Sequence, residues 1–131
     1  EVTPVYSFVL KQGSPQAIAN IIRLDAGCNW MGVAGQAFSL SGSPVVSLIV
    51  QLGGSLNGQI IEPRLFMTGA APDYGKGGYE FVLGDQPIAS TDKLWIQLLD
   101  QASLPMSDKI YFSTYDTCEQ NLILINFQQV K

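Results

Sequence analysis

Residues 30–54, Trp30-Met31-Gly32-Val33-Ala34-Gly35-Gln36-Ala37-Phe38-Ser39-Leu40-Ser41-Gly42-Ser43-Pro44-Val45-Val46-Ser47-Leu48-Ile49-Val50-Gln51-Leu52-Gly53-Gly54, decide the fold class. The stretch reads as two strands joined by a turn. Ser41 to Pro44 supplies the turn, because glycine tolerates positive φ while proline fixes φ and removes a donor. After it, Val46, Leu48, Val50 and Leu52 alternate with Ser47, Ile49 and Gln51, the period of a strand with one better-buried face. Before it, Gly32 and Gly35 interrupt an apolar run, as glycines do at a bulge or at a close approach of the backbone.

Working outward, the same grammar repeats. Val2–Leu10 reads as a strand with Pro4 near its start, and residues 11–15 as a turn. Residues 17–24, AIANIIRL, fit a short helix or an extended segment; the β-like surroundings favour the extended reading. Asn57-Gly58 is a strong hairpin signal, and residues 68–78, TGAAPDYGKGG, form the longest expected loop. Further strands are expected at 60–61, 65–67, 79–83, 93–100, 110–114 and 121–130. Capped helices are absent from the pattern. Seven to nine short strands between Gly/Pro turns imply an all-β, Greek-key sandwich of immunoglobulin- or prealbumin-like type.

Composition bounds the partners. A chain of 131 residues that is 47% hydrophobic and only 14% charged is one unit with a real core. Its net charge of −4, without a basic cluster, offers no electrostatic footprint for nucleic acid or anionic lipid. No apolar run has the length of a membrane span, so membrane insertion is not expected. The chain shows no signal peptide and no initiator Met, which fits either a cleaved leader or a segment of a longer protein. Two organisational parts are expected: residues 1–27, an extension bearing its own strand, and residues 28–131, the sandwich.

The cysteines, Cys28 and Cys118, flank the first and last core strands, positions that a Greek-key or meander sandwich brings to one end. A disulfide there would close a loop long enough to contribute roughly 4–5 kcal/mol, and it would imply an oxidising compartment, hence a secreted or cell-surface protein. Two buried free thiols are the alternative. A metal centre on this pair would need ligands that a histidine-free chain hardly supplies.

The run from Gly35 to Phe38, the Ser-Gly-Ser-Pro turn and residues 45–52 resemble the opening hairpin of carboxypeptidase regulatory-like modules, also called prealbumin-like or transthyretin-like. Gly78-Tyr79-Glu80-Phe81 resembles the core of the G-x-Y-x-F strand of that family, shifted by one residue, and residues 94–99 and 110–114 fit its back half. Ser39 stands where the family carries Asp, and residues 55–78 are a long insertion. The resemblance implies a spacer, adhesion or accessory module of secreted and cell-surface bacterial proteins. It brings no catalytic residues to transfer.

Chemistry is correspondingly sparse. Without histidine there is no Ser-His or Cys-His nucleophile pair. Asp73, Glu80, Asp85, Asp92, Asp100, Asp108, Asp116 and Glu119 are scattered singly, mostly where Asp bonds local backbone. No enzyme activity, no cofactor and no resident metal are expected; calcium on Asp73, Asp85, Asp100 or Asp108 is the weaker alternative. Lys11, Asn126 and Glu80 have the residue types of an isopeptide cross-link, against the plainer reading of solvated side chains. Tyr74 in the glycine-rich loop, with Trp95, Tyr111 and Tyr115, forms the candidate carbohydrate-binding set, against rings that cap the core edges. Trp95 is out of phase with Leu94, Ile96 and Leu98, which places it on an outer face. Val5, Tyr6, Phe8, Val9 and Leu10 form the candidate assembly strand, packing on their own sheet or adding to a neighbour's open edge. The expected role is a structural or adhesive module, with neighbouring modules or identical subunits as partners. A carbohydrate-binding accessory module is the alternative.

Overall fold

The computed structural model describes residues 5–131, and over them the chain is nearly all β. The strands are β1 (Phe8–Leu10), β2 (Gln16–Ile18), β3 (Met31–Phe38), β4 (Ile49–Leu56), β5 (Gln59–Ile60), β6 (Arg64–Met67), β7 (Gly78–Gly84), β8 (Ser90–Leu99), β9 (Ile110–Thr114), β10 (Leu122–Leu124) and β11 (Phe127–Gln129). Two single 3-10 turns, Pro72–Tyr74 and Cys118–Gln120, complete the set.

Sheet I is built on β3. One edge of β3 pairs antiparallel with β7, and the other pairs parallel with β10 and then β11. β10 and β11 are the halves of one final strand, interrupted at Ile125 and Asn126, and their outer edges take β2 and β1 antiparallel. The interruption needs Gly35: a Cβ there would stand 1.9 Å from the Ile125 carbonyl oxygen. Asn126 fills the break, its Oδ1 accepting from Gln36 N at 2.8 Å and its N–H donating to Ser14 Oγ at 2.9 Å. Sheet II is antiparallel throughout, with β4 between β8 and the pair β6 and β5, and β9 beyond β8.

The core lies between the sheets. Val33, Tyr79, Phe81, Ile123, Ile125 and Phe127 from sheet I meet Val50, Leu52, Leu94, Ile96, Leu98 and Phe112 from sheet II. Burial of that alternating set is the main driving force for the sandwich. Tyr79 takes its hydroxyl into this core and donates it to Ile125 O at 2.7 Å.

Three expectations change. The hairpin read over residues 30–54 begins as one, with Ser39 N donating to Ser43 O and Val45 N to Ala37 O, but β3 and β4 then enter different sheets. Turn chemistry sets the local reversal and has no say in where the outgoing strand docks. Within residues 17–24 only the first two belong to a strand; the rest turn across the outer face of sheet I. The strand read over Val2–Leu10 is ordered as β from Phe8, while residues 2–4 lie outside the described residues.

Candidate functional site

The two outer faces of the sandwich are built differently. On sheet I the outward residues Ala34, Leu122 and Leu124 carry a second small core, which Trp30, Ile18, Ala26 and Tyr74 cover. Residues 19–30 hold this cover down. Asn121, fully buried, accepts from Asn20 N at 2.7 Å and donates to Gly27 O at 3.0 Å and Trp30 O at 3.2 Å. The Cys28–Cys118 disulfide, with Cα atoms 5.1 Å apart, fastens the same segment to the turn before β10. The cysteines stood out in the sequence and Asn121 did not; an Asn heading the apolar run Leu122–Leu124 was its only sequence signal, and its burial appears only in the fold.

Glu80 closes the cover from below. It projects outward from β7, and Arg23 donates Nε to its Oε2 at 3.2 Å and Nη2 to its Oε1. Tyr74 donates its hydroxyl to Oε2 at 2.7 Å. Burial alone would raise the Glu80 pKa; the hydrogen bonds from Arg23 and Tyr74 and the Arg23 charge outweigh it and hold the carboxyl below its ordinary range. Burial first, then the bond to Glu80, pushes the Tyr74 phenol up. Tyr74 is therefore half-buried and engaged on sheet I, away from the other three aromatic candidates. A cleft of about 290 Å³ lies beside it, lined by Arg23, Phe66, Pro72 and Glu80 among others.

On sheet II the outer face stays open. Trp95 on β8 lies across from Gly53 on β4, where a Cβ would come within 2.4 Å of its ring. The glycine lets the indole rest flat on the sheet. On the other side Tyr111 of β9 is the cross-strand partner of Trp95 and is 54% exposed. These rings, with Ile60, Ile61 and Pro63, line a cleft of about 510 Å³ rimmed by Asp92 and Lys93. Lys109, preceding β9, sets its ammonium 4.3 Å from the centroid of the Trp95 ring. Tyr115 and Tyr111 line an adjoining cleft of about 140 Å³ that reaches Phe112 and Ile123 at the seam between the sheets. Trp95, Tyr111 and Tyr115 thus form a connected series of clefts through Tyr111.

The candidate assembly strand is also placed. Phe8 is 3% exposed within the core of its own sandwich, and Phe8–Leu10 pairs with Phe127–Gln129. Val5 is exposed, at 81%, and Tyr6 is half-buried. The isopeptide types do not converge: Glu80 is bound to Arg23 and Tyr74, while Lys11 directs its ammonium toward Gln128 Oε1 at 3.4 Å and the Phe38 ring. Among the described residues no three Cys, Asp or Glu side chains gather as a metal ion requires. Of the four acids considered for calcium, Asp100 is turned into its own loop, where Oδ1 accepts from Ala102 N and Leu104 N. Among the described residues no helix is long and apolar enough to cross a membrane. No protein-family model, curated protein or solved structure matches this chain.

Proposed function

We propose that this chain is a non-catalytic recognition module of a secreted or surface-exposed protein, and that it binds carbohydrate on the outer face of sheet II. One observation carries the reading: the Trp95 indole lies flat over Gly53 with the exposed Tyr111 beside it. A flat ring floored by backbone offers the apolar surface on which the C–H face of a pyranose stacks. The polar groups at its rim suit hydroxyl recognition. Exposed Ile60 adds apolar lining to the same cleft. The Cys28–Cys118 bond supports an oxidising compartment.

The structural reading, self-assembly by strand addition through residues 1–27, draws less support, because β1 already pairs with β11 and buries Phe8 at home. Kinship with carboxypeptidase regulatory-like modules remains part of the proposal. It is supported by the inward placement of Tyr79 and Phe81, the two aromatics of the G-x-Y-x-F pattern.

A glycan array tests the reading, with the native chain beside Trp95→Ala and Tyr74→Phe. The expected outcome is a defined set of glycans bound by the native chain and by Tyr74→Phe, and weakened about tenfold or more in Trp95→Ala. Binding of no glycan, or equal binding by Trp95→Ala, would refute it.

A further inference from the structure

The lysines around Trp95 narrow the ligand class. Lys93 lines the same cleft as Trp95 and Tyr111, and Lys109, just before β9, reaches over the Trp95 ring, so both lysines meet the aromatic platform on the outer side of sheet II. One side of the Trp95 ring is floored by Gly53, and Lys109 places its ammonium 4.3 Å from the ring centroid. The cation sits at the surface that a stacked sugar would use. Neither Lys93 nor Lys109 has an ion-pair partner among the described residues. The chain carries only seven basic residues against eleven acidic ones, so two unpaired lysines at one aromatic platform run against its overall field. The acidic neighbours are Asp92, whose carboxylate lies 3.5 Å from Ser113 Oγ, Glu62, between the cleft residues Ile61 and Pro63, and Asp108, next to Lys109 in the chain.

We infer that the ligand is an acidic saccharide, its ring on Trp95 and its anionic substituent met by Lys109, with Lys93 as the second cation. The inference rests on the carbohydrate reading above. A neutral sugar has to lift Lys109 from the indole and offers the ammonium only uncharged hydroxyl acceptors, which water supplies equally. A uronate displaces the same cation–π contact and replaces it with an ion pair. Both contacts are solvent-exposed and individually small, so the preference is a modest ratio rather than an absolute one. Lys109 is in this account a specificity residue, and Trp95 the residue on which affinity depends.

The test is calorimetric titration of the full chain with galacturonan and neutral galactan oligosaccharides of equal length, and with a sulfated galactan to separate carboxylate from sulfate. The native chain is expected to bind an acidic oligosaccharide about five- to tenfold more tightly than the neutral one. Lys109→Gln should remove most of that ratio while leaving the neutral affinity equal or higher, and Trp95→Ala should abolish binding to both. Preference for uronate over sulfate, or the reverse, identifies the anion. Equal affinity for neutral and acidic oligosaccharides, or a ratio that survives Lys109→Gln, overturns the acidic assignment and leaves the carbohydrate reading standing. Acidic binding that survives Trp95→Ala also overturns it, since attraction of charge alone would then suffice. If none of these oligosaccharides binds while the array shows other, neutral glycans bound through Trp95, the acidic assignment falls and the carbohydrate reading stands; both fall only if the array also shows no binding.

Discussion

Trp30 and Trp95 start from the same local arrangement and end in opposite environments. Each indole lies over a strand glycine on the outer side of a sheet: Trp30 over Gly32 on β3, and Trp95 over Gly53 on β4. Trp30 is 5% exposed, roofed by the segment that Asn121, the disulfide and the Arg23–Glu80 pair hold in place. Trp95 has a flexible lysine over it and an open cleft beside it. One tryptophan belongs to the core. The other is held ready at a surface, and the difference lies in which sheet the N-terminal residues cover.

The strongest way to break the comparison is truncation of each ring. Trp30→Ala should cost about 3–5 kcal/mol, as a buried large-to-small change does, while Trp95→Ala should cost far less. Urea unfolding of the two variants measures the contrast, and equal losses would end it. Removing the fastening comes next. Replacing Cys28 and Cys118 together by Ser releases a cross-link spanning 90 residues and should cost about 2–5 kcal/mol, read as a lower denaturation midpoint.

The glycines sharpen the comparison further. An added Cβ at Gly32 would stand 2.3 Å from the Trp30 ring, which the cover prevents from moving, so Gly32→Ala should cost about 1–3 kcal/mol of stability. At Gly53 the clash is of the same order, 2.4 Å, but Trp95 can tilt toward solvent. Gly53→Ala should therefore keep more of the stability and instead weaken glycan binding. Thermal melts alongside the array would separate the two costs.

The smallest effect is the pH response of the cover. Glu80 has a folded-state pKa below its ordinary 4.5, so its contribution is present in full above that value. The contribution is lost as pH falls through the depressed folded value. Glu80→Gln should lower stability at neutral pH by about 1 kcal/mol and flatten the acid limb of a stability–pH curve. An unchanged acid limb would mean that the ion pair adds nothing to the cover.

Much of this was legible in the sequence, and the boundary of legibility is physical. The alternation of Leu94, Ile96 and Leu98 put Trp95 on the outer face, where it is, because strand period is a local property. The glycine interruptions signalled close approach, and Gly32 and Gly35 each admit a neighbour. Nothing local could tell that β3 and β4 part into two sheets, or that the final strand runs parallel to β3, since both depend on pairings distant in sequence. Tyr74 looked exposed in a glycine-rich loop; its partner Glu80 lies six residues on and faces it only after the loop folds back over sheet I. Tyr111 stood out as an aromatic, but its place beside Trp95 required the register of β8 on β9.

The central claim is that the open face of sheet II is the binding face and the covered face of sheet I is not. Chemical-shift mapping by NMR, on the native chain with a bound oligosaccharide, tests it most directly. The account expects shifts confined to the Trp95 indole N–H, Gly53, Tyr111 and the residues around them. Shifts centred on the Trp30 indole N–H, Tyr74 and Arg23 would contradict it.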